Sequence, residues 1–100
     1  MAHLKKERIG SMERIRRHFI FYGYVQGVGF RYKARHAAER FGIAGWVRNL
    51  GDGSVEMEAE GNPDDISALI TALNDYTWGS IERFDADDVP VEGGYSFEIR

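Results

Sequence analysis

One stretch, residues 23–31, constrains the fold of this chain more than any other. It reads Gly-Tyr-Val-Gln-Gly-Val-Gly-Phe-Arg, with a β-like run entering it and a helical pattern leaving it. This order predicts a strand, a tight loop at Gly27 and Gly29, and the beginning of a helix at Arg31. Backbone N–H groups in such a loop bind oxyanions, and the helix dipole adds to the attraction. Because the guanidinium group of an arginine can donate to two phosphate oxygens at once, we expect this stretch to form a binding site for a phosphate group, called the phosphate cradle.

The glycine loop does not match the common nucleotide-binding motifs. A Walker-type loop requires Gly-x-x-x-x-Gly-Lys-Ser/Thr, and no such run occurs in the sequence. The dinucleotide fingerprint requires a third glycine three residues after Gly29, where this chain has Tyr32. The stretch is therefore either a phosphate cradle of another kind or a structural strand-to-helix turn with a solvated Arg31.

Composition and charge are those of a small globular domain. The 100 residues form one domain, and 43% hydrophobic and 29% charged residues are ordinary for that class. A net charge of −3 gives no reason to expect nucleic-acid binding. The lack of cysteine excludes disulfides, cysteine-based zinc sites and cysteine nucleophiles. No apolar run approaches the roughly 20 residues of a membrane span, and no apolar signal core begins the chain, so we expect a cytoplasmic protein without membrane contact.

The N-terminal segment differs from the rest of the chain. Residues 1–16 are polar and basic without a convincing period, so we predict a flexible extension before a domain at residues 17–100. Met12 offers an alternative start, which would make residues 1–11 dispensable. A basic arm for an acidic partner is the other interpretation of this segment.

Periodicity predicts alternating strands and helices along the domain. Val55, Met57 and Ala59 alternate with glutamates in a strand, and Asn62 followed by Pro63 and two aspartates marks the beginning of a helix. In order, the patterns predict a strand at 18–25, a helix at 30–41, strands at 43–50 and 54–60 around a turn at 50–53, a helix at 63–73, a strand at 80–89 and a closing strand at 95–100. This β-α-β-β-α-β order, with a short extra strand, is typical of the ferredoxin-like α+β sandwich, an antiparallel sheet with two helices on one face.

The predicted topology brings a second polar residue to the glycine loop. The strands at 18–25 and 43–50 are joined through a helix, so both run in one direction and end at the same edge of the sheet. Asn49 therefore approaches Arg31, and the closing strand runs toward the same edge. An amide beside a phosphate cradle holds a water by donating and accepting hydrogen bonds at once. The alternative role for Asn49 is a turn residue that opens the hairpin at 50–53.

The two motifs resemble the signatures of the acylphosphatase family. Residues 23–31 are similar to the family's phosphate-loop signature, and Gly45-Trp-Val-Arg-Asn49 is similar to its second signature. The similarity continues through residues 51–61, and the ending Phe97-Glu-Ile-Arg100 resembles the family's last strand. The resemblance covers about residues 17–100, and two separate motifs at the family's separation make it specific.

The resemblance implies hydrolysis of acyl phosphates to a carboxylate and inorganic phosphate, without a metal or any other cofactor. It implies that Arg31 binds the phosphate and stabilises its developing charge, and that Asn49 positions the attacking water. The partner expected is a small acyl phosphate such as carbamoyl phosphate, acetyl phosphate or glycerate bisphosphate, with inorganic phosphate or sulfate also held by the loop, and the chain is expected to be a monomer. The backbone N–H groups implied to hold the phosphate oxygens are those of Gln26, Gly27, Val28, Gly29, Phe30 and Arg31.

The C-terminus departs from the family's pattern. Members commonly end one residue later, with an aromatic residue whose carboxylate lies near the active-site arginine, whereas this sequence ends at Arg100. The sequence therefore leaves open whether the carboxylate of Arg100 reaches Arg31.

Two other functions compete with hydrolysis. Ferredoxin-like sheets also form RNA-recognition domains, in which Tyr22 and Tyr24 would stack on bases, but the three glutamates of the third strand repel phosphates. A catalytically silent acylphosphatase-like domain that binds anions for regulation is the second alternative. The presence of both Arg31 and Asn49 favours an enzyme over that alternative.

The other conspicuous side chains are interpreted as structural or exposed. An acidic cluster near the fourth strand lacks the glycine-spaced loop of a calcium site, so no metal site is predicted. The residues given structural or surface roles are His18, His36, Trp46, Arg48, Trp78, Asp85, Asp87 and Asp88.

Overall fold

The computed structural model describes residues 13–74 and 80–100, which form two helices and five strands in the predicted order. Residues 1–12 and Trp78, for which predictions were made, lie outside the described residues. The strands are β1 (Ile15–Tyr24), β2 (Ala44–Asn49), β3 (Val55–Gly61), β4 (Ser80–Val89) and β5 (Phe97–Ile99), and the helices are α1 (Phe30–Arg40) and α2 (Pro63–Leu73).

The five strands form one sheet in the order β4-β1-β3-β2-β5. The first four strands pair antiparallel, as expected for a ferredoxin-like sandwich, but β5 pairs parallel to β2, so the sheet is mixed. The physical reason is the route of the chain. Because β4 ends at the edge opposite the glycine loop, residues 90–96 cross to the other side of the sheet and β5 runs back alongside β2.

The core lies between the sheet and the two helices, which contact each other on one face. The alternation predicted for β3 is confirmed, since Val55, Met57 and Ala59 are all fully buried. Phe19 and Phe21 of β1 stack with ring centroids 5.6 Å apart. The two helices cover these side chains with the residues Phe30, Ala34, Ala37, Ala38, Ile66, Leu69 and Leu73.

β1 begins before the predicted domain boundary at residue 17. Ile15 and Arg16 belong to the strand, and Arg16 is only 4% exposed. Its guanidinium contacts Glu58 at 2.6 Å and Glu60 at 3.2 Å on β3. The strand therefore includes the last two residues of the segment that was predicted as an extension.

The face of the sheet away from the helices, called the open face below, carries an ionic network. β3 presents its glutamates to this face as predicted, but Glu60 is fully buried there. It accepts from Arg14 Nε at 2.6 Å and from the backbone N–H groups of Glu92 at 2.8 Å and Gly93 at 3.1 Å. Burial raises the pKa of Glu60, but these hydrogen bonds outweigh burial and hold the pKa below its usual value. One carboxylate thus anchors residues 90–96 across the sheet.

Candidate active site

Two left-handed glycines shape the loop between β1 and α1. Gly27 has φ 74° and Gly29 has φ 79°, a region that glycine adopts without strain. Nothing lies within 4 Å of a Cβ built at Gly27, so the backbone angle, rather than a close neighbour, requires glycine there. The loop turns from the strand directly into the helix, as the sequence predicts.

The N-terminus of α1 lacks the caps that α2 has. Gly29 provides no side-chain acceptor at the N-cap of α1, and the first turn contains no acidic residue. Asn62, by contrast, accepts from the N–H of Asp64 at 2.8 Å, and two aspartates occupy the first turn of α2. The first N–H groups of α1 are therefore available to an anion, at the positive end of the helix dipole.

Arg31 and Asn49 line one cavity of about 100 Å³ at the edge of the sheet where β1 and β2 end. The structure thus brings together the two side chains that the sequence places on separate motifs. Because a cavity needs roughly 10–15 Å³ on this measure to hold one water, the cavity admits a group of phosphate size. The other lining residues are Val25, Gly27, Gly29, Phe30 and Tyr32.

Within residues 13–74 and 80–100, Arg31 and Asn49 have no partner among the side chains. Arg31 is half-buried in the first turn of α1 and forms no ion pair, while the exposed side chain of Asn49 forms no hydrogen bond. Arg14, Arg16 and Arg17, by contrast, are all paired with carboxylates. A cation and an amide without internal partners at one cavity are suited to binding an anion.

Gln26 directs its side chain away from the cavity. Its Nε2 donates to the carbonyl oxygen of Leu50 at 2.7 Å and to that of Ser54 at 2.8 Å. Val28 packs against the core instead. The members of the predicted phosphate loop that line the cavity are Gly27, Gly29, Phe30 and Arg31.

The hairpin turn after Asn49 is held by its own hydrogen bonds. The N–H of Leu50 donates to the carbonyl of Ser54 at 2.9 Å, which closes the turn. Asp52 accepts from the hydroxyl and the backbone N–H of Ser54, and these bonds hold the pKa of Asp52 below its usual value. The predicted Asp-Gly turn is confirmed, and the side chain of Asn49 does not bond into it.

The C-terminus reaches the same edge of the sheet but not the cavity. The N–H of Arg100 donates to the carbonyl of Val47 at 2.8 Å, so the predicted direction of the last strand is confirmed. The Arg100 guanidinium lies over Trp46, 5.0 Å from the ring centroid. In the part of the chain that the structure describes, Arg31 forms no ion pair with the terminal carboxylate.

Several residues predicted to be structural lie on the open face, away from the cavity. His18 Nε2 lies 2.6 Å from a carboxylate oxygen of Glu56, whose other oxygen accepts from Arg48 Nε at 2.6 Å. Burial raises the pKa of Glu56, but the bonds from His18 and Arg48 outweigh it and lower the pKa. Arg48 therefore faces away from the site, as its alternation with Asn49 predicts.

Two of the exposed acidic residues of β4 pair with cations. Asp88 contacts Arg17 at 2.9 Å, and Asp85 lies 3.5 Å from Arg83. The described residues contain no group of His, Cys, Asp and Glu that would hold a metal ion. A wider groove of about 510 Å³ lies between α2 and β4, but among the described residues that line it Arg17 is the one cation, and it is already paired with Asp88. No helix in the described ranges is long and apolar enough to cross a membrane.

Comparison with known proteins identifies similar sequences over nearly the whole domain. A family model described as Acylphosphatase matches residues 17–99. An acylphosphatase of Bifidobacterium longum is 41% identical over 93 residues, which cover 90% of this chain and 96% of that protein. An acylphosphatase of a Synechococcus strain is 42% identical over 89 residues, covering 88% and 95% of the two chains.

Solved structures with the same fold include single-domain and much longer proteins. The crystal structure of acylphosphatase from Bacillus subtilis matches with a TM-score of 0.81 at 32% identity, over 86% of this chain and 98% of that chain. Full-length HypF, solved in a phosphate- and nucleotide-bound form, matches with a TM-score of 0.76 at 27% identity. That match covers 88% of this chain and 12% of that chain.

Proposed function

This chain belongs to the acylphosphatase family, and we propose that it hydrolyses acyl phosphates in the cavity between α1 and the end of β2. A water attacks the phosphorus, the bond from phosphorus to the acyl oxygen breaks, and the products are a carboxylate and inorganic phosphate. The observation that carries the proposal is that Arg31 and Asn49, whose side chains have no partner among the described residues, lie at one phosphate-sized cavity beside a helix N-terminus without a side-chain cap.

Arg31 supplies the positive charge of the site. Its planar fork donates to two phosphate oxygens, while the loop N–H groups of the cradle, including those of Gly27 and Gly29, hold the remaining oxygens. Charge spreads over the equatorial oxygens as phosphoryl transfer proceeds. Arg31 therefore binds the substrate and also stabilises the transition state.

Asn49 positions the attacking water. Its amide donates with the nitrogen and accepts with the oxygen, so it fixes both the place and the orientation of one water. The proton of that water passes to the phosphate itself, and the leaving carboxylate is a weak base. Because no strong acid or base is needed, positioning and charge stabilisation suffice for the reaction.

The proposed reaction is independent of metal ions. Metal ions in phosphoryl transfer neutralise the charge on phosphate oxygens. In this cavity the guanidinium of Arg31 and the N–H groups at the start of α1 serve that purpose. We therefore expect turnover to persist in the presence of a chelator.

The test is hydrolysis of benzoyl phosphate by the purified chain with chelator present. We expect chelator-resistant turnover in the wild type, and a loss of about 100-fold in kcat for Asn49→Ala, with inorganic phosphate still bound. Arg48→Ala is the matched control, because Arg48 is the adjacent residue on the opposite face and should hydrolyse at the wild-type rate. An Asn49→Ala protein with wild-type kcat would refute the water-positioning role.

A silent anion-binding domain is the second candidate function. The match to HypF is the reason to test it, since the matching part forms 12% of a longer chain, and that chain was solved in a phosphate- and nucleotide-bound form. Inorganic phosphate binding without turnover of any acyl phosphate would establish this alternative and exclude hydrolysis.

We further propose a cytoplasmic monomer that acts on small molecules and binds neither nucleic acid nor membranes. The cysteine-free sequence fits a reducing compartment. On the open face, Arg83 lies 3.8 Å from the ring centroid of Tyr22, which occupies the surface that an RNA-recognition domain uses for base stacking. Light scattering during size-exclusion chromatography tests the monomer, where a mass of 11.4 kDa is expected.

A further inference from the structure

We propose that the side chain of Gln26 is a positioning residue that fixes Asn49 relative to the phosphate cradle. This inference rests on the proposed hydrolysis for its catalytic consequence. Gln26 immediately precedes Gly27 of the cradle, and Leu50 immediately follows Asn49. The backbone N–H of Gln26 was expected to contact phosphate, but its side chain performs a different task.

The side-chain amide of Gln26 connects the glycine loop to the hairpin turn that follows Asn49. Both hydrogens of Gln26 Nε2 are used, one toward the carbonyl of Leu50 at 2.7 Å and one toward that of Ser54 at 2.8 Å. Leu50 and Ser54 also bond to each other and close the hairpin turn. Among the described residues, no other hydrogen bond connects the loop at 25–29 to residues 49–54.

Asn49 depends on this connection because its own side chain forms no hydrogen bond within the described residues. It is the last residue of β2, where the regular pairing with β3 ends at Val55. Its position is therefore set by the backbone on either side, and the Gln26 amide restrains the C-terminal side. Arg31 and the cradle N–H groups belong to α1 and the loop, so phosphate binding does not require this restraint.

Two substitutions separate hydrogen bonding from volume. Gln26→Met keeps a side chain of similar length but removes both donors. Gln26→Glu keeps the shape and places carboxylate oxygens against two carbonyl oxygens. Asn62→Ala is the control for lost stability alone, because Asn62 caps α2 at the opposite edge of the sheet.

The first experiment needs no enzymatic activity. Inorganic phosphate is titrated into ¹⁵N-labelled protein while the side-chain amide resonances of Asn49 are followed by NMR. In the wild type we expect one pair of resonances that shifts with phosphate. In Gln26→Met the pair should broaden or lose its phosphate-induced shift, while backbone amides of the cradle report unchanged phosphate affinity. Unaltered Asn49 resonances in Gln26→Met would overturn the proposal.

The second experiment follows benzoyl phosphate hydrolysis in a double-mutant cycle. We expect Gln26→Met to lower kcat by roughly 10- to 100-fold with little change in KM, and Asn62→Ala to leave kcat unchanged. In an Asn49→Ala background, Gln26→Met should lower kcat by less than about a further twofold, because both substitutions remove the same function. Additive losses would show a general structural role. A wild-type protein that turns over no substrate contradicts the proposed hydrolysis, whereas the NMR result still decides the role of Gln26.

Discussion

The buried carboxylate of Glu60 is the part of the ionic network whose loss should cost most stability. Glu60→Gln preserves volume, so no cavity forms, but it removes the charge that faces two guanidinium groups. It also turns an NH₂ group toward hydrogen-bond donors, which leaves at least one donor without an acceptor. Arg14 is 36% exposed and regains water, whereas Arg16 is 4% exposed and does not.

The expected cost is about 3 kcal/mol, because breaking a buried ion pair costs roughly 3–5 kcal/mol and Arg16 retains its contact with Glu58. The assay is urea unfolding followed by circular dichroism. With a slope of about 1–2 kcal/mol per M for a small domain, the midpoint should fall by roughly 1.5–3 M.

Glu98→Gln provides the matched control for this prediction. Glu98 is 57% exposed and pairs with Arg100, which is 53% exposed, at 3.2 Å. Such surface pairs contribute about 0–1 kcal/mol. If Glu60→Gln destabilises the domain no more than Glu98→Gln does, the buried carboxylate does not anchor residues 90–96 across the sheet.

Three further predictions concern acid pH, the proposed role of Arg31 and a tightly packed glycine. Glu56 and Glu60 have folded-state pKa values below their unfolded value of about 4.5, so their contribution to stability is present above that pH and lost as pH falls through the folded pKa values. Urea midpoints measured between pH 7 and pH 3 should decline mainly below about pH 5, and a midpoint that holds constant to pH 3 would contradict the lowered pKa values. Arg31→Ala should both raise the dissociation constant of inorganic phosphate and lower kcat, because the same guanidinium group contacts the bound phosphate and the transition state. Isothermal titration calorimetry measures the first effect and steady-state kinetics the second. A variant in which only one of the two values changes would refute the dual role. Gly45→Ala should cost at least about 3 kcal/mol or prevent folding, since its Cβ would lie 1.9 Å from the carbonyl oxygen of Glu58 at φ +140°. Gly51→Ala, where nothing lies within 4 Å, should leave the urea midpoint within 0.5 M of wild type, roughly the shift expected from an ordinary surface substitution.

Local sequence patterns were sufficient to predict the elements whose conformation depends on neighbouring residues. The helix start at Asn62 follows from its capping oxygen and the adjacent proline, and both are present in the structure. The convergence of Arg31 and Asn49 followed from topology, because two strands joined through a helix end at one edge of the sheet. These predictions required no knowledge of distant contacts.

The predictions that differ from the structure involve contacts between distant parts of the chain. Alternation placed Glu60 on the open face, but alternation identifies a face and not what covers it. The cover comes from Arg14 and the backbone at Glu92, which lie far from Glu60 in sequence. Likewise, the side chain of Gln26 binds residues 24 and 28 positions away, and a long amide before a glycine is too common a pattern to reveal such a contact.

The place of β1 in the sheet has a consequence for how the protein is made. β1 leads into the glycine loop at 25–29, yet both of its neighbours, β3 and β4, are later in the chain. As the chain is synthesised at roughly 5–20 residues per second, the edge of β1 that pairs with β4 stays open until Val89 has emerged. During that interval an aromatic strand with unpaired backbone groups is exposed to other chains. The strand that leads into the site is therefore synthesised early and paired on both sides only late, and its open edge is a place where other chains can pair until β4 has been made.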